Sequence, residues 1–293
     1  MKNKKNKIYI IIEYILVYLL YILLSILPIN LVSIIGGKVF QFLGPFTKAH
    51  KIAKKNYLHI FPNANLKEVN QQVKNSWNNI GKTFFELLIL PKIIMQQNDK
   101  INLEGDEILY KLKKNNEQII FFGIHQSNWE ILLPTIDKIG FKVGGIYRHI
   151  NNPNINKLIL NQRKSSIASK KSFYTPKGKK SAKEIIEAIN NKSSMILLID
   201  QKDSAGENIK FFGSDVKTQI GFIKLARKYN MKIIPIENIR TKVNNFTIKF
   251  YSPLMEIKSD LSDAQVMEKI HHIIEGWIKK NPSEWFLQHN RFN

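Results

Sequence analysis

From Ile8 to Leu27 the chain is almost uninterruptedly apolar, IYIIIEYILVYLLYILLSIL, with Glu13 as the sole charge. As a helix this run is ~30 Å long, the thickness of a bilayer's hydrocarbon core. Tyr9, Tyr14, Tyr18 and Tyr21 suit an interfacial belt, and Pro28 marks the expected end. A cleaved leader is a rival because lysines precede the run, but the run is too long and no small-x-small site follows it. A spanning helix is the expectation, with a helix lying flat on the surface or buried in a core as the alternatives. The lysines at 2, 4, 5 and 7 favour a cytoplasmic N-terminus by the positive-inside rule, which carries little weight when the rest of the chain is also basic.

Beyond the run the period changes. Val32 to Leu90 reads as helical, most clearly from Val69 to Leu90, where apolar residues recur at three and four; Pro62 and Pro91 punctuate it. From Gln118 short apolar runs alternate with helical stretches. QIIFFG (118–123), VGGIY (143–147), SFYT (172–175), SMILLI (194–199), KIIPIENI (232–239) and FTIKFYS (246–252) read as strands. Residues 128–138, 155–165, 181–190, 216–229 and 261–280 read as helices. Strands separated by single helices predict an α/β fold, a layered and mostly parallel sheet flanked by helices. Residues 1–29 are expected to be a membrane anchor and 30–293 one sheet domain.

Composition narrows the chemistry. Hydrophobic residues at 44% and charged residues at 23% are ordinary for a globular chain. There is no cysteine, which excludes a disulfide scaffold, a thiolate zinc site, an iron–sulfur cluster and a cysteine nucleophile. The net charge of +22 is the outlier and favours polyanionic partners: nucleic acid, an anionic membrane, or an acidic protein or substrate. No zinc finger, helix-turn-helix signal or aromatic RNA-binding pattern accompanies it, and the apolar N-terminus argues against nucleic acid. Arginine occurs only at 148, 163, 227, 240 and 291, so each planar, bidentate fork is informative. The stretch Gln162–Lys183 holds Arg163, Lys164, Lys170, Lys171, Lys177, Lys179, Lys180 and Lys183 without an acidic residue. It is either a solvated basic face or a landing strip for phosphates or an acidic carrier.

The segment Gly123-Ile-His-Gln-Ser-Asn-Trp-Glu130 follows an apolar strand and opens a helix, where ligands of open sheets bind. His125 and Glu130 would diverge on one continuous helix. They meet only if His125 lies in the loop and Glu130 in the first turn, with Ser127 as N-cap. Glu130 at Nδ1 would then fix the tautomer and leave Nε2 to take a proton from a hydroxyl. The same residues also fit a capping box, Ser127-x-x-Glu130, with no catalytic role. His271 and His272 read as surface residues of the last helix, Trp285 as packing, and Asp200 as a partner of Arg148 or Arg163.

This H-x-x-x-x-E motif at a strand-to-helix junction resembles that of the glycerolipid-type acyltransferases. An ordered series along nearly the whole chain is similar to the late lipid A (lauroyl/myristoyl) acyltransferase family. It comprises Asn56-Tyr-Leu…Phe61-Pro62, Glu86, Ile146-Tyr147-Arg148, Asn152-Pro153 with Arg163, Asp200-Gln201…Phe211-Phe212-Gly213, Leu225-Ala226-Arg227 with Pro235, and Asn281-Pro282…Trp285…His289-Asn290-Arg291-Phe292. Two departures stand out: Asn290 replaces a usual basic residue, and the phosphate-binding F-P-E-G-x-R stretch of the glycerol-phosphate branch is missing.

The resemblance implies acyl transfer from an acyl carrier protein thioester to a hydroxyl of a lipid A precursor, an anionic glycolipid. It places the catalytic domain at the cytoplasmic face of the bacterial inner membrane. His125 and Glu130 would be catalytic, with Arg148, Arg163 and Asp200 binding substrate or stabilising the oxyanion. No cofactor or metal is called for. A sister enzyme acting on a lysophospholipid or another membrane lipid is the alternative.

Overall fold

Lys7–Ile26 form one helix, α1, in the computed structural model, which describes residues 7–292 apart from the side chains of Lys179, Lys180 and Lys258. The lysines at 2, 4 and 5 that bear on orientation lie outside these residues, as do the side chains of Lys179 and Lys180 in the basic stretch. α1 has two faces. Ile8, Ile12, Leu16, Leu19 and Leu23 are exposed along one, while Val17, Leu20, Tyr21 and Leu24 pack against the core along the other. Both α1 and the segment Ile29–Phe46 are long and apolar enough to cross a membrane.

Four helices and a short turn follow α1 before the sheet: α2 (Ile29–Leu43), α3 (Lys48–Ile60), α4 (Leu66–Leu88), α5 (Leu90–Met95) and α6 (Gln97–Lys100). In α4, Asn65 caps the N-terminus by accepting from the Glu68 N–H at 3.0 Å. Val69, Val73, Trp77 and Ile80 then bury one face at helical spacing. α2 crosses α4 at Gly36 and Gly81, where a Cβ on Gly81 would lie 2.1 Å from the Gly36 carbonyl oxygen. Only glycine allows so close a crossing.

The remaining elements are β1 (Ile101–Glu104), α7 (Glu107–Lys114), β2 (Ile119–Gly123), α8 (Leu132–Ile139), β3 (Val143–Tyr147), α9 (Pro153–Ser165), β4 (Phe173–Pro176), α10 (Lys179–Asn190), β5 (Ser194–Leu198), β6 (Glu207–Phe211), β7 (Ser214–Thr218), α11 (Gly221–Lys228), β8 (Lys232–Lys242), β9 (Asn245–Phe250) and α12 (Asp263–Lys280). Seven strands form one sheet in the order β1-β9-β8-β2-β5-β3-β4, with β8–β9 as its antiparallel pair. β2 sits at the centre and is buried on both faces, as its unbroken apolar run requires. Its side chains alternate between two core layers: Ile119 and Phe121 pack into one, Ile120 and Phe122 into the other. The fold is therefore α/β, a mostly parallel sheet flanked by helices, with an apolar N-terminal helix.

Several elements differ from the sequence expectation. β1 was not anticipated. Nor was the hairpin β6–β7, whose two-residue loop Phe212-Gly213 has φ of 47° and 77°, the signs of a type I′ turn. The helix expected over 216–229 starts only at Gly221, because Val216 and Thr218 belong to β7.

Candidate active site

β2 and β5 lie side by side and parallel, with Gly123 opposite Leu198. His125 and Asp200 each stand two residues beyond that pair, so the register alone brings them together at the carboxyl edge of the sheet. The His125 Nδ1 is 2.8 Å from the Asp200 Oδ1, which also accepts from the His125 backbone N–H at 3.1 Å. The Trp285 indole donates to Oδ2 at 2.8 Å. Burial alone would raise the Asp200 pKa. The adjacent His125 and these donors outweigh it and hold the carboxyl below its ordinary value. A carboxylate at Nδ1 favours the tautomer that carries its proton there, and Nε2 lies 3.3 Å from the Gln201 side-chain nitrogen.

The carboxylate at Nδ1 is thus Asp200, not Glu130. Glu130 instead grips Arg163, with Nε to Oε2 and Nη2 to Oε1 both at 2.7 Å, and accepts from the Trp129 indole at 3.2 Å. Burial would lower the Arg163 pKa, but the Glu130 charge overrides it and raises it. The reason lies in the intervening backbone. Ser127 has φ of 55°, so the chain turns sharply after His125. Asn128, rather than Ser127, caps the following turn by accepting from the Glu130 N–H at 3.1 Å. The alternative capping box, Ser127-x-x-Glu130, does not form either, and Glu130 leaves the loop facing α9.

This loop is held from several sides. Thr83 donates to the Ser127 carbonyl at 2.8 Å, Asn238 to the Asn128 carbonyl at 2.7 Å, and the Ser127 N–H to the Glu284 carbonyl at 3.0 Å. The Asn128 amide donates to Glu86 at 2.8 Å. Glu86 is fully buried and paired with both terminal nitrogens of Arg240, at 2.7 and 2.8 Å.

His125, Glu130, Arg163, Arg148 and Gln201 border a cavity of about 780 Å³ whose other walls are mostly apolar, among them Leu88, Leu133, Ile159 and Ile196. That volume lies within the range of small-ligand sites. Arg148 is exposed and lines the cavity without pairing with Asp200, and Asp200 does not orient Arg163.

The C-terminal segment backs the site. The Phe286 N–H donates to the His125 carbonyl at 2.9 Å, and Gln126 bridges to Trp285. Trp285 is therefore both packing and a donor to Asp200. Asn56 donates to the carbonyls of Leu287 and His289, at 2.8 and 2.6 Å, fixing the segment on α3. Arg291 is buried, with Nη1 on the Lys217 carbonyl and Nη2 on the Thr218 hydroxyl. Among the links that sequence reasoning missed are Asp200 with His125 and Gln201 beside Nε2. The signal for them is Asp200-Gln201 directly after an apolar strand, which becomes readable only once strand order is known.

His271 corrects another expectation: it is fully buried rather than on the surface, because this face of α12 packs under β6. Its Nδ1 donates to the Lys210 carbonyl at 2.6 Å, and Nε2 faces Arg291 at 3.5 Å. Burial, with help from Arg291, lowers its pKa from 6.5 to about 4. The unfolded chain thus binds a proton near pH 6.5 that the folded chain refuses until about pH 4. Folding stability should fall through that window as pH drops, by up to ~1.4 kcal/mol per pH unit for one proton. Denaturant midpoints across the window should show a shallower slope for His271→Gln; an unchanged slope would assign the acid sensitivity elsewhere.

A comparison with curated proteins finds no match. A family model described as bacterial lipid A biosynthesis acyltransferase matches residues 1–293. A histidine paired with a buried carboxylate beside an apolar cavity suits acyl transfer, and with the match over its whole length the chain belongs to the bacterial lipid A biosynthesis acyltransferases.

Proposed function

We propose that the protein transfers a fatty acyl chain from an acyl carrier protein thioester to a hydroxyl of a lipid A precursor. The observation that carries this reading is the His125–Asp200 pair opening onto an apolar cavity. The acceptor oxygen attacks the thioester carbonyl while Nε2 of His125 takes its proton. Asp200 fixes the reactive tautomer and balances the imidazolium. Collapse of the tetrahedral intermediate breaks the carbon–sulfur bond, and the proton passes from His125 to the departing thiolate. Glu130 acts through Arg163, holding a guanidinium at the cavity where an oxyanion would develop. Arg148, exposed at the same cavity, meets an anionic group of the substrate.

Residues 1–29 serve as the anchor and 30–293 as the catalytic domain, at the cytoplasmic face of the inner membrane where acyl carrier protein is available. The exposed apolar face of α1 and the net charge of +22 support binding to an anionic bilayer. The test is transfer of labelled acyl groups from the carrier thioester to a tetra-acylated lipid A precursor by the purified full-length chain. Transfer only to a lysophospholipid would instead support the sister activity.

The basic stretch from Arg163 to Lys183 implies an electrostatic contribution to carrier binding. The Debye length shrinks from ~30 Å at 0.01 M salt to ~10 Å at 0.1 M. The apparent KM for the carrier thioester should rise over that range, and by more than the KM for an acyl-coenzyme A donor. Equal salt responses for the two donors would remove this role from the charge.

A further inference from the structure

We infer that α1 is a wall of the acyl cavity as well as an anchor, and that Leu20 and Val17 help to set which chain lengths are accepted. This rests on the acyl-transfer reading above. Val17 and Leu20 line the same cavity as His125, as do Ile155 and Ile159 of α9. They lie on the inward face of α1, one and two turns before the buried Leu24, while Leu16, Leu19 and Leu23 face outward. One helix thus contacts the substrate space on one side and presents apolar side chains outward on the other.

A helix that only tethered the domain would need no fixed register against it, yet polar contacts set one at both ends. Asn152 is buried and caps α9 by accepting from the N–H groups of Asn154 and Ile155. Its amide donates to the Ile10 carbonyl at 2.7 Å and to the Glu13 carboxylate at 3.3 Å. At the other end Lys92 donates to the carbonyls of Ser25 and Leu27, at 3.2 and 2.7 Å. Lysine suits these carbonyls at the close of a helix, where the dipole is negative. Between these pins, one at the start of α9 and one on α5, Val17 and Leu20 are held in register beside α9, the helix that also carries Arg163. Their side chains therefore take a constant share of the space open to an alkyl chain.

Burying one methylene contributes about fourfold to affinity. A side chain that excludes two methylenes should shift the ratio of kcat/KM for long against short chains by roughly fifteenfold. The experiment uses the full-length protein in detergent with a ladder of saturated carrier thioesters differing by two methylenes. Leu20→Trp should move the profile toward shorter chains, and Leu20→Ala toward longer ones, so that an unfolded Trp variant still leaves a readout. Leu19→Trp, on the outward face, should keep the original profile. An active wild type whose profile is unmoved by Leu20→Ala and by any folded Leu20→Trp overturns the inference alone. A wild type that transfers no acyl chain from any thioester overturns the acyl-transfer reading beneath it.

Discussion

His125→Ala is expected to lower kcat for acyl transfer by ~10²–10⁴-fold, the usual loss when a general base is removed. Asp200→Asn should approach that loss although it changes only a few atoms. An amide cannot balance an imidazolium, and its NH₂ group would face Nδ1 or the Trp285 indole, both of which now donate to the carboxylate. Glu130→Gln should cost less, since the His125–Asp200 pair survives it and only the grip on Arg163 loosens. Steady-state kinetics of the three folded variants separate the possibilities. If Asp200→Asn stays active while Glu130→Gln matches His125→Ala, the carboxylate that matters is Glu130.

Glu86→Ala is expected to destabilise the fold by ~3–5 kcal/mol, the usual result of stranding one partner of a buried ion pair. The Glu86 side chain has no exposed surface and that of Arg240 is 6% exposed, so solvent cannot replace the lost partner. Ser33 and Asn128 would lose their acceptor as well. Replacing both charges, Glu86→Leu with Arg240→Met, should recover much of the stability, because an apolar pair carries no desolvation cost. Activity should stay below wild type, since the Asn128 side-chain amide would lose its acceptor in the turn after His125. Unfolding midpoints and transfer rates measured side by side test this. A loss below about 1 kcal/mol for Glu86→Ala would mean that the pair is dispensable.

The sheet was legible wherever burial on both faces writes a continuous apolar run, as in β2, β3, β5 and β8. It was not legible at β1, whose sequence INLE is only four residues long. The β6–β7 ribbon was hidden because its exposed positions carry Glu207, Lys210, Asp215 and Lys217, and only alternate residues face the core. At the site, His125 was readable from its place after a strand. Its partner was misassigned because spacing along one segment favours the nearest acid, Glu130, whereas the true neighbour comes from a strand adjacent in space and 75 residues away. His271 was misjudged for a related reason: a histidine on an amphipathic helix looks exposed until the hairpin that covers it is known.

The segment from Glu284 to Arg291 supplies the Trp285 donor to Asp200, the Phe286 amide on the His125 carbonyl and the Glu284 carbonyl under Ser127. During synthesis these residues emerge after every strand of the sheet, while upstream elements are already free to pair. The sheet, and with it the His125–Asp200 pair, can therefore assemble before this backing segment docks. A message cut short after α12 would yield a species able to form the sheet but deprived of the contacts that back His125 and Asp200. Docking of this segment closes the shell around a pair that the strand register has already brought together.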